Sequence, residues 1–233
     1  MSRVIIPLDV PSEHEAMALV DRLGDRADFY KVGLELFTSC GPDVVRRLER
    51  MGKRVFLDLK LHDIPNTVAG AVSAASGLGV DLLTIHASGG ASMLQAAARA
   101  REGDLRLLAV TVLTSLSPDE MSAVWGREIR SVREEVGRLT VSAREAGIDG
   151  VVASALEASW LRGHVGPDFL VVTPGIRPAG ASRDDQNRIA TPADAIRAGA
   201  DYLVIGRPIT QAPDPQAALA AVLAEIEAAE AED

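Results

Sequence analysis

The sequence predicts an α/β protein built as a (β/α)8 TIM barrel, and three observations lead to this prediction. Short apolar runs recur along the chain, and most are followed by a segment of helical length. Eight such runs occur in 233 residues, a number and spacing that match a closed barrel. Nearly continuous apolar strands that alternate with helices also indicate a parallel sheet covered on both faces.

The predicted strands are short segments rich in Val, Leu, Ile and Phe. They are VIIPLDV (4–10), DFYKVG (28–33), RVFLDLK (54–60), VDLLTIHA (80–87), LRLLAVTVL (105–113), GVVAS (150–154), FLVVTPG (169–175) and YLVIGR (202–207). The first helical segment has Ser12 at a suitable N-cap position and Glu15 three residues later. The last is the Ala- and Glu-rich tail. We therefore expect a single barrel domain over residues 1–233.

An open, doubly wound sheet would produce a similar alternation of strands and helices. That fold usually carries a G-x-G-x-x-G dinucleotide fingerprint after its first strand, and the sequence has none there. No linker or low-complexity stretch divides the chain. The closed barrel is therefore the favoured prediction.

Composition restricts the classes of partner. The net charge of −9 argues against nucleic acid or an anionic membrane as a partner, because both call for a basic surface. No apolar run approaches the length of a bilayer span, and no signal-peptide pattern precedes the first strand. The lone cysteine, Cys40, excludes an internal disulfide and fits a reducing compartment. We expect a cytoplasmic protein.

Polar residues stand at or just after the ends of the predicted strands. They are Asp9, Lys31, Lys60, His86, Thr114, Gly206 and Arg207. In a (β/α)8 barrel the carboxyl ends of the strands converge on one mouth, where active sites form. One polar residue at a strand end is usually a turn or cap residue, but this many predict a charged site.

The segment FLDLKLHDIPNT (56–67) holds the densest cluster of charges. Asp58 and Lys60 are two positions apart on a strand, so both side chains should point into the barrel, and Asp63 falls beyond the strand end. Neighbouring carboxylates favour the charged form of the ammonium, which can then donate a proton and stabilise a developing anion. The structural alternative is a buried ion pair that closes the barrel, although such pairs seldom add net stability.

The long polar segment 173–191 follows the seventh strand and resembles a lid. Its charged and amide side chains include Arg177, Arg183, Gln186 and Arg188. Gly206 and Arg207 end the eighth strand, and loops after strands seven and eight commonly bind phosphate in such barrels. We predict a phosphate monoester ligand; the alternative is a solvated loop with an incidental Arg207.

Metal and nucleophile motifs are missing from the sequence. The four histidines do not form a metal-ligand spacing, and there is no G-x-S-x-G elbow. His62 could support Lys60 from the adjoining turn, and His86 could be either a core histidine or a neighbour of the site. We therefore predict no metal site.

The stretch DLKLHDIPNT (58–67) resembles the signature of the orotidine 5′-monophosphate decarboxylase family. The resemblance extends along the chain through LDV, FYKVG, VTVLTS, TPGIRP, the Gln of DDQNR, and VIGRPIT. The D-x-K-x-x-D core alone is less specific. It also occurs in sugar-phosphate barrels such as 3-keto-L-gulonate 6-phosphate decarboxylase and hexulose-6-phosphate synthase.

This resemblance implies decarboxylation of orotidine 5′-monophosphate (OMP) to UMP and CO2 through a C6 carbanion, without metal or cofactor. It implies that Lys60 protonates C6 and that Asp58 faces the departing carboxylate. It further implies that Asp63 and Thr67 reach into the neighbouring subunit's site, which makes the enzyme a homodimer with shared active sites.

The resemblance also assigns the residues that contact the nucleotide. They are Asp9 and Lys31 at the ribose hydroxyls, Thr114 at the pyrimidine, Gly206 and Arg207 at the phosphate, Gln186 between lid and phosphate, and Arg177 on the lid side. Two alternatives remain at this point. One is a Mg²⁺-dependent sugar-phosphate decarboxylase or lyase on the same barrel, and the other is a catalytically silent barrel that binds a phosphorylated ligand.

Overall fold

The computed structural model describes residues 2–113, 115–178 and 190–231, and within them eight parallel strands close into a barrel in chain order. The strands are β1 (Val4–Pro7), β2 (Phe29–Gly33), β3 (Arg54–Leu61), β4 (Leu82–His86), β5 (Arg106–Val110), β6 (Gly150–Val152), β7 (Leu170–Thr173) and β8 (Tyr202–Val204). β8 pairs with β1 and so completes the ring. The predicted (β/α)8 barrel is confirmed.

Helices follow the strands and cover the outside of the barrel. They are α1 (Glu13–Leu23), α2 (Leu34–Cys40), α3 (Asp43–Arg50), α4 (Pro65–Ser76), α5 (Gly90–Ala100), α6 (Pro118–Trp125), α7 (Val132–Glu145), α8 (Ala155–Val165), α9 (Pro192–Arg197), α10 (Arg207–Thr210) and α11 (Pro215–Glu230). Two single 3₁₀ turns, Gly24–Arg26 and Ala87–Gly89, complete the described elements.

The first helix begins where its capping residues predict. The Ser12 hydroxyl accepts a hydrogen bond from the Glu15 backbone N–H and donates one to the Glu15 carboxylate. The sequence did not predict α2, nor the division of the segment between β5 and β6 into α6 and α7. In that segment a capping box between Ser117 and Glu120 begins α6, and Gly126 in the left-handed conformation ends it.

Apolar side chains from the strands fill the inside of the barrel. They are Ile5, Phe29, Phe56, Leu82, Leu108, Leu170 and Val172, with the partly buried Val152, Tyr202 and Val204 packed against them. A larger apolar cluster lies between the strands and the surrounding helices. Polar residues occupy the carboxyl ends of the strands, beyond this inner cluster, and the candidate site begins there.

Several strands end earlier than the sequence predicts. β1 ends at Pro7 rather than at residue 10, and β8 ends at Val204 rather than at residue 207. The next residues still follow the barrel, because the Leu8 N–H donates to the Lys31 carbonyl at 2.9 Å. Of the polar residues predicted at strand ends, Lys31, Lys60 and His86 lie on strands, whereas Asp9 lies in the loop after β1. None of the helices in the described ranges is long and apolar enough to span a membrane.

Candidate active site

Four charged side chains of alternating sign form a continuous array at the mouth of the barrel. Lys31 Nζ donates to Asp9 Oδ1 at 2.8 Å and lies 3.6 Å from Asp58 Oδ2. Lys60 Nζ donates to both oxygens of Asp58 at 2.8 Å. The array runs from the loop after β1 through β2 to β3, so neighbouring strands carry neighbouring charges. This contact confirms the expectation that Asp58 and Lys60 share one pocket.

Burial increases toward the centre of the array. The side chains of Lys31 and Asp58 are only 12% and 13% exposed, whereas that of Asp9 is 62% exposed. Burial alone would raise the pKa of the Asp58 carboxyl. The charges of Lys31 and Lys60, with hydrogen bonds from Lys60 and Thr84, instead hold that pKa below its ordinary value. Asp58 is therefore an ionised carboxylate at neutral pH.

The backbone reaches this arrangement by a different route from the regular strand that we expected. Among the described residues, Lys60 is the one non-glycine residue with a positive φ, 51°. The pairing of β3 with β4 also shifts between Leu57 and Leu61, which marks a bulge. A side chain in the left-handed region is unfavourable, and residues in such conformations concentrate at functional sites. The two-residue spacing correctly predicted that Asp58 and Lys60 are neighbours, but the regular strand on which that prediction depended is interrupted here.

Gly33 makes room for the array at the end of β2. A Cβ atom at this position would lie 2.9 Å from Lys31 Nζ and 3.3 Å from Asp9 Oδ1. Its own φ of −94° is open to any residue, so the requirement for glycine here is one of space rather than of backbone conformation. Sequence analysis did not identify Gly33, although its place beside Lys31 in FYKVG was the available signal.

A cavity of about 190 Å³ adjoins the array. Charged side chains line one side, and apolar ones line the rest. The lining residues are Lys31, Phe56, Asp58, Lys60, Val110, Val112, Leu113, Val152, Ala153, Pro174 and Val204. Low-polarity walls strengthen the field of the charges, because less water screens them. A ligand in this cavity would therefore face an ammonium and a carboxylate on one side and apolar side chains on the other.

A wider cleft of about 770 Å³ lies at the opposite end of the barrel, beside Arg106 and Asp149 at the starts of β5 and β6. Asp149 there is already bound by Arg101 and by the Leu107 backbone N–H. Active sites of such barrels form at the carboxyl ends of the strands. We therefore place the candidate site at the smaller cavity.

Two residues next to the array were missed or left open by sequence analysis. Thr84, on β4, is fully buried, accepts from the Lys60 backbone N–H at 2.8 Å and donates to Asp58 Oδ1 at 2.9 Å. The rings of His62 and His86 lie 5.2 Å apart. Burial, then His62, then Lys60 lower the pKa of His86. His86 is therefore an electrostatic neighbour of the site.

Two predicted site residues in the segment after β3 lie apart from the array within one chain. Asp63 and Thr67 are both exposed. The Asp63 carboxylate binds its own neighbour in sequence, because Asp63 Oδ1 accepts from the Ile64 N–H at 2.6 Å. Among the described residues, no hydrogen bond or ion pair links Asp63 to Lys60. The predicted grouping of Asp58, Lys60 and Asp63 is thus seen only for the first two.

The predicted phosphate region lies where β7 and β8 end. Arg177 is buried, and its backbone N–H donates to the Ala190 carbonyl at 2.9 Å, which joins the two sides of the segment that follows β7. Arg207 begins α10, and Gly206 is the N-cap. A Cβ at Gly206 would lie 3.0 Å from Pro7 Cγ. Thr114 and Gln186, predicted to contact the pyrimidine and the phosphate, lie outside the described residues.

Comparisons with known proteins agree with the barrel and with the motifs. Residues 2–222 match the family described as "Orotidine 5'-phosphate decarboxylase / HUMPS family". The orotidine 5'-phosphate decarboxylase of Moorella thermoacetica is 55% identical over 97% of this chain and 92% of its own length. That of Saccharophagus degradans is 49% identical over 96% of this chain and 94% of its own length.

Solved structures show the same relationship. The crystal structure of orotidine 5'-phosphate decarboxylase from Lactobacillus acidophilus is 40% identical and superposes with a TM-score of 0.87, covering 97% of this chain and 99% of that one. The enzyme from Pyrococcus horikoshii is 27% identical with a TM-score of 0.77, covering 96% and 99% of the two chains. The chain therefore belongs to the orotidine 5′-phosphate decarboxylase / HUMPS family.

Proposed function

We propose that this chain decarboxylates OMP to UMP and CO2, the last step of de novo UMP synthesis. The observation that carries the proposal is the Asp9–Lys31–Asp58–Lys60 array beside a mostly apolar cavity, in a chain about half identical to decarboxylases over nearly its full length. The family description also covers sugar-phosphate barrels, but the named relatives are orotidine 5'-phosphate decarboxylases. They favour this activity over the Mg²⁺-dependent alternative.

The reaction breaks the bond between C6 of the pyrimidine and its carboxylate. The electron pair stays on C6, CO2 departs, and a proton must then reach C6 to give UMP. Lys60 is our candidate donor, because its ammonium is held by two hydrogen bonds to Asp58 at the edge of the cavity. Lys60 then recovers a proton from solvent. No redox partner is needed, since the electron pair ends in the new C–H bond.

Asp58 has two effects in this scheme. As a buried, ionised carboxylate it fixes the Lys60 ammonium by hydrogen bonds. In the proposed complex the substrate carboxylate approaches Asp58, so repulsion between the two anions is relieved when CO2 leaves. Proton donation alone typically contributes about 10²–10⁴-fold, so preorganised charge must supply much of the remaining acceleration.

Phosphate binding supplies the rest of the proposed site. We place the phosphate at the Gly206 backbone and the Arg207 guanidinium, and the ribose hydroxyls at Asp9 and Lys31. Support comes from the position of Arg207 at the start of α10, directly after β8, in the usual phosphate region of such barrels. Binding energy from a remote phosphate can be used to orient and desolvate the reacting group. The roles of Thr114, Gln186 and Arg177 stay predictions.

The direct test is to mix the purified protein with OMP and follow the loss of the orotate absorbance band. We expect conversion to UMP, and we expect EDTA to leave the rate unchanged. A rate abolished by EDTA and restored by Mg²⁺ would favour the sugar-phosphate class instead. Binding of OMP without any turnover would favour a silent phosphate-binding barrel.

We further propose a homodimer in which Asp63 and Thr67 complete the site of the partner subunit. Support comes from the exposed run after β3, where both residues and the 66% exposed Ile64 lie. Leu34 follows the adjacent β2 and is 54% exposed. Large apolar side chains exposed in the segments that follow two adjacent strands are consistent with an interface.

Subunit mixing tests this sharing. Inactive Lys60→Ala and Asp63→Ala proteins should regain activity when mixed, because a mixed dimer contains one site in which both residues are intact. Absence of recovery, with subunit exchange demonstrated by mass-tagged chains, would rule out sharing.

We also propose that residues 1–233 act as one domain and that the enzyme works in the cytoplasm, where a charged nucleotide is retained.

A further inference from the structure

The irregularity in β3 leaves backbone groups that β4 does not pair in the regular way. Phe56 and Leu57 pair with Leu82 and Leu83, but the next paired residue of β3 is Leu61, which faces Ile85. Four steps along β3 therefore correspond to two steps along β4. Lys60 lies within this bulge in the left-handed conformation, with a φ of 51°. Something must hold the backbone there, since a side-chain-bearing residue does not adopt this conformation readily.

Thr84 provides a hydrogen-bond partner for this irregular part of β3. Its hydroxyl accepts a hydrogen bond from the Lys60 backbone N–H at 2.8 Å, a bond that a strand carbonyl would otherwise provide. The same hydroxyl donates to Asp58 Oδ1 at 2.9 Å. A threonine hydroxyl has one proton to donate and lone pairs to accept with, so its donor and an acceptor site are both in use. One atom thus joins the backbone of Lys60 to the side chain of Asp58.

Thr84 lies outside the lining of the cavity. Its side chain is fully buried, two residues along β4 from Leu82 in the inner cluster of the barrel, and it is not among the residues that line the cavity. Its hydroxyl meets the carboxylate on the same oxygen, Oδ1, that accepts one of the two Lys60 Nζ hydrogen bonds. Loss of the hydroxyl would remove one of the hydrogen bonds that hold Oδ1, and it would leave the Lys60 N–H without its acceptor.

We infer that Thr84 is a positioning residue for the decarboxylation: its hydroxyl fixes the bulged Lys60 backbone and the Asp58 carboxylate in one geometry, so that Lys60 Nζ is directed at the reacting carbon. This inference rests on the proposed function. Its ordinary alternative is a core threonine whose hydroxyl serves only folding. Thr140 is such a residue: it is fully buried, and its hydroxyl donates to the Val136 carbonyl one turn earlier in α7.

The test compares three variants. Thr84→Val keeps the shape and removes the hydroxyl, Thr84→Ser keeps the hydroxyl and removes the methyl group, and Thr140→Val makes the same change away from the site. We expect Thr84→Val to lower kcat by roughly 10- to 100-fold, because small misplacements of reacting groups have effects of this size. KM and the Kd of UMP should change little, since Thr84 does not contact the cavity. Thr84→Ser should retain most of the activity, and Thr140→Val should keep the wild-type kcat.

The outcomes separate this inference from the proposed function. Absence of wild-type turnover overturns the proposed function and the role of Thr84 together. Wild-type turnover with full kcat in Thr84→Val, or an equal loss in Thr84→Ser, overturns the role of Thr84 alone.

Should Thr84→Val not fold, Thr84→Ala provides a second variant without the hydroxyl. The added effect of Thr84→Ala on Asp58→Asn should then be smaller than its effect on the wild type, because Thr84 acts through Asp58. Equal effects in the two backgrounds would also overturn the inference.

Discussion

The two ends of the barrel both carry charged residues, but they hold them differently. At the amino ends of the strands, three aspartates directly precede β4, β6 and β8, and each makes one arginine pair and accepts one backbone N–H. The pairs are Asp81 with Arg54, Asp149 with Arg101, and Asp201 with Arg162. The N–H donors are those of Val55, Leu107 and Val171, at 2.9, 2.7 and 2.7 Å. Each unit is separate from the other two, and its backbone hydrogen bond joins two neighbouring strands.

At the carboxyl ends the charges share partners instead. Asp58 contacts two ammonium groups, Lys31 contacts two carboxylates, and Lys60 adopts a positive φ. A closed pair satisfies its own charges and ties the fold together, whereas a shared array beside a cavity can also act on a ligand. The comparison suggests that substitutions at the amino ends alter stability and that those at the mouth alter turnover.

The largest expected effect is at Lys60. Lys60→Ala should lower kcat by at least about 10⁴-fold, because the proton donor and a preorganised positive charge are lost together. UMP should still bind, since phosphate and ribose contacts remain. Orotate absorbance measures the rate, and titration calorimetry measures UMP binding. Appreciable turnover would reject Lys60 as the donor.

Lys53 provides the matched control at the other end of the barrel. Its ammonium donates to the carbonyls of Gly24 and Ala27, at 3.1 and 2.9 Å, just before β3 begins. Lys53→Ala should lower the free energy of unfolding by about 1–2 kcal/mol, the usual effect of losing such hydrogen bonds, with kcat unchanged. A large loss of kcat in this variant would contradict the division between the two ends.

Gly33→Ala tests how tightly the array must be packed. The new Cβ would lie 2.9 Å from Lys31 Nζ, so the ammonium must shift from its present position between Asp9 and Asp58. We expect kcat/KM for OMP to fall by about 100-fold with the fold intact. The control, Gly163→Ala, lies in α8 with open space around it and should raise stability by about 0.5–1 kcal/mol without affecting turnover. Steady-state kinetics with wild-type values for Gly33→Ala would show that the array tolerates displacement.

Asp201→Asn addresses the amino end. It weakens the bonds to the Arg162 guanidinium and the Val171 N–H, so the free energy of unfolding should fall by about 2 kcal/mol. In a chain of this size that corresponds to a drop in Tm of roughly 4–8 °C. Asp104→Asn, at an exposed turn, should change stability by less than about 0.5 kcal/mol. Thermal unfolding checks both, and a reduced kcat in Asp201→Asn at a temperature where it is folded would argue against a purely structural role.

The same comparison shows what the sequence could predict. Strands of near-continuous apolar residues predicted the barrel, and polar residues at their ends predicted the mouth, because both depend on local pattern. The pairing of Asp58 with Lys60 followed from their two-residue spacing. The role of Thr84 did not, since it depends on a bulge that aligns Thr84 with Lys60 across two strands. Its only sequence signal is a polar residue inside the apolar run LLTIH.

Other features were missed because they depend on contacts remote in sequence. A Cβ at Gly33 would meet Lys31 Nζ, which is held there by Asp9, 22 residues earlier in the chain. The aspartates before β4, β6 and β8 form a visible repeat, but their arginine partners lie 27 to 48 residues away. Asp63 and Thr67 are the opposite case. Their proposed role needs a second subunit, so neither the sequence pattern alone nor one folded chain contains the atoms they would contact.

The smallest expected effect concerns His86, which borders the array. Burial, His62 and Lys60 lower its pKa below 6.5, while Asp58 acts in the opposite direction. As the pH falls through 6.5, the unfolded chain therefore takes up a proton that the folded protein does not. Folded-state stability should decline on acidification from that pH down to the lowered pKa. His86→Gln should remove this slope, whereas His14→Gln, on the exposed side of α1, should leave it in place.

An NMR titration of the imidazole resonances can assign the cause of the His86 shift. His62→Ala removes one of the groups that lower the pKa of His86, so this pKa should rise toward its ordinary value without reaching it, because burial and the Lys60 charge remain. An unchanged His86 titration in His62→Ala would mean that the histidine pair is not electrostatically coupled. If the pKa of His86 returned fully to its ordinary value, burial and the Lys60 charge would have no effect on it. The mouth of the barrel would then be more hydrated than the burial of the array indicates, and the contrast between the two ends would weaken.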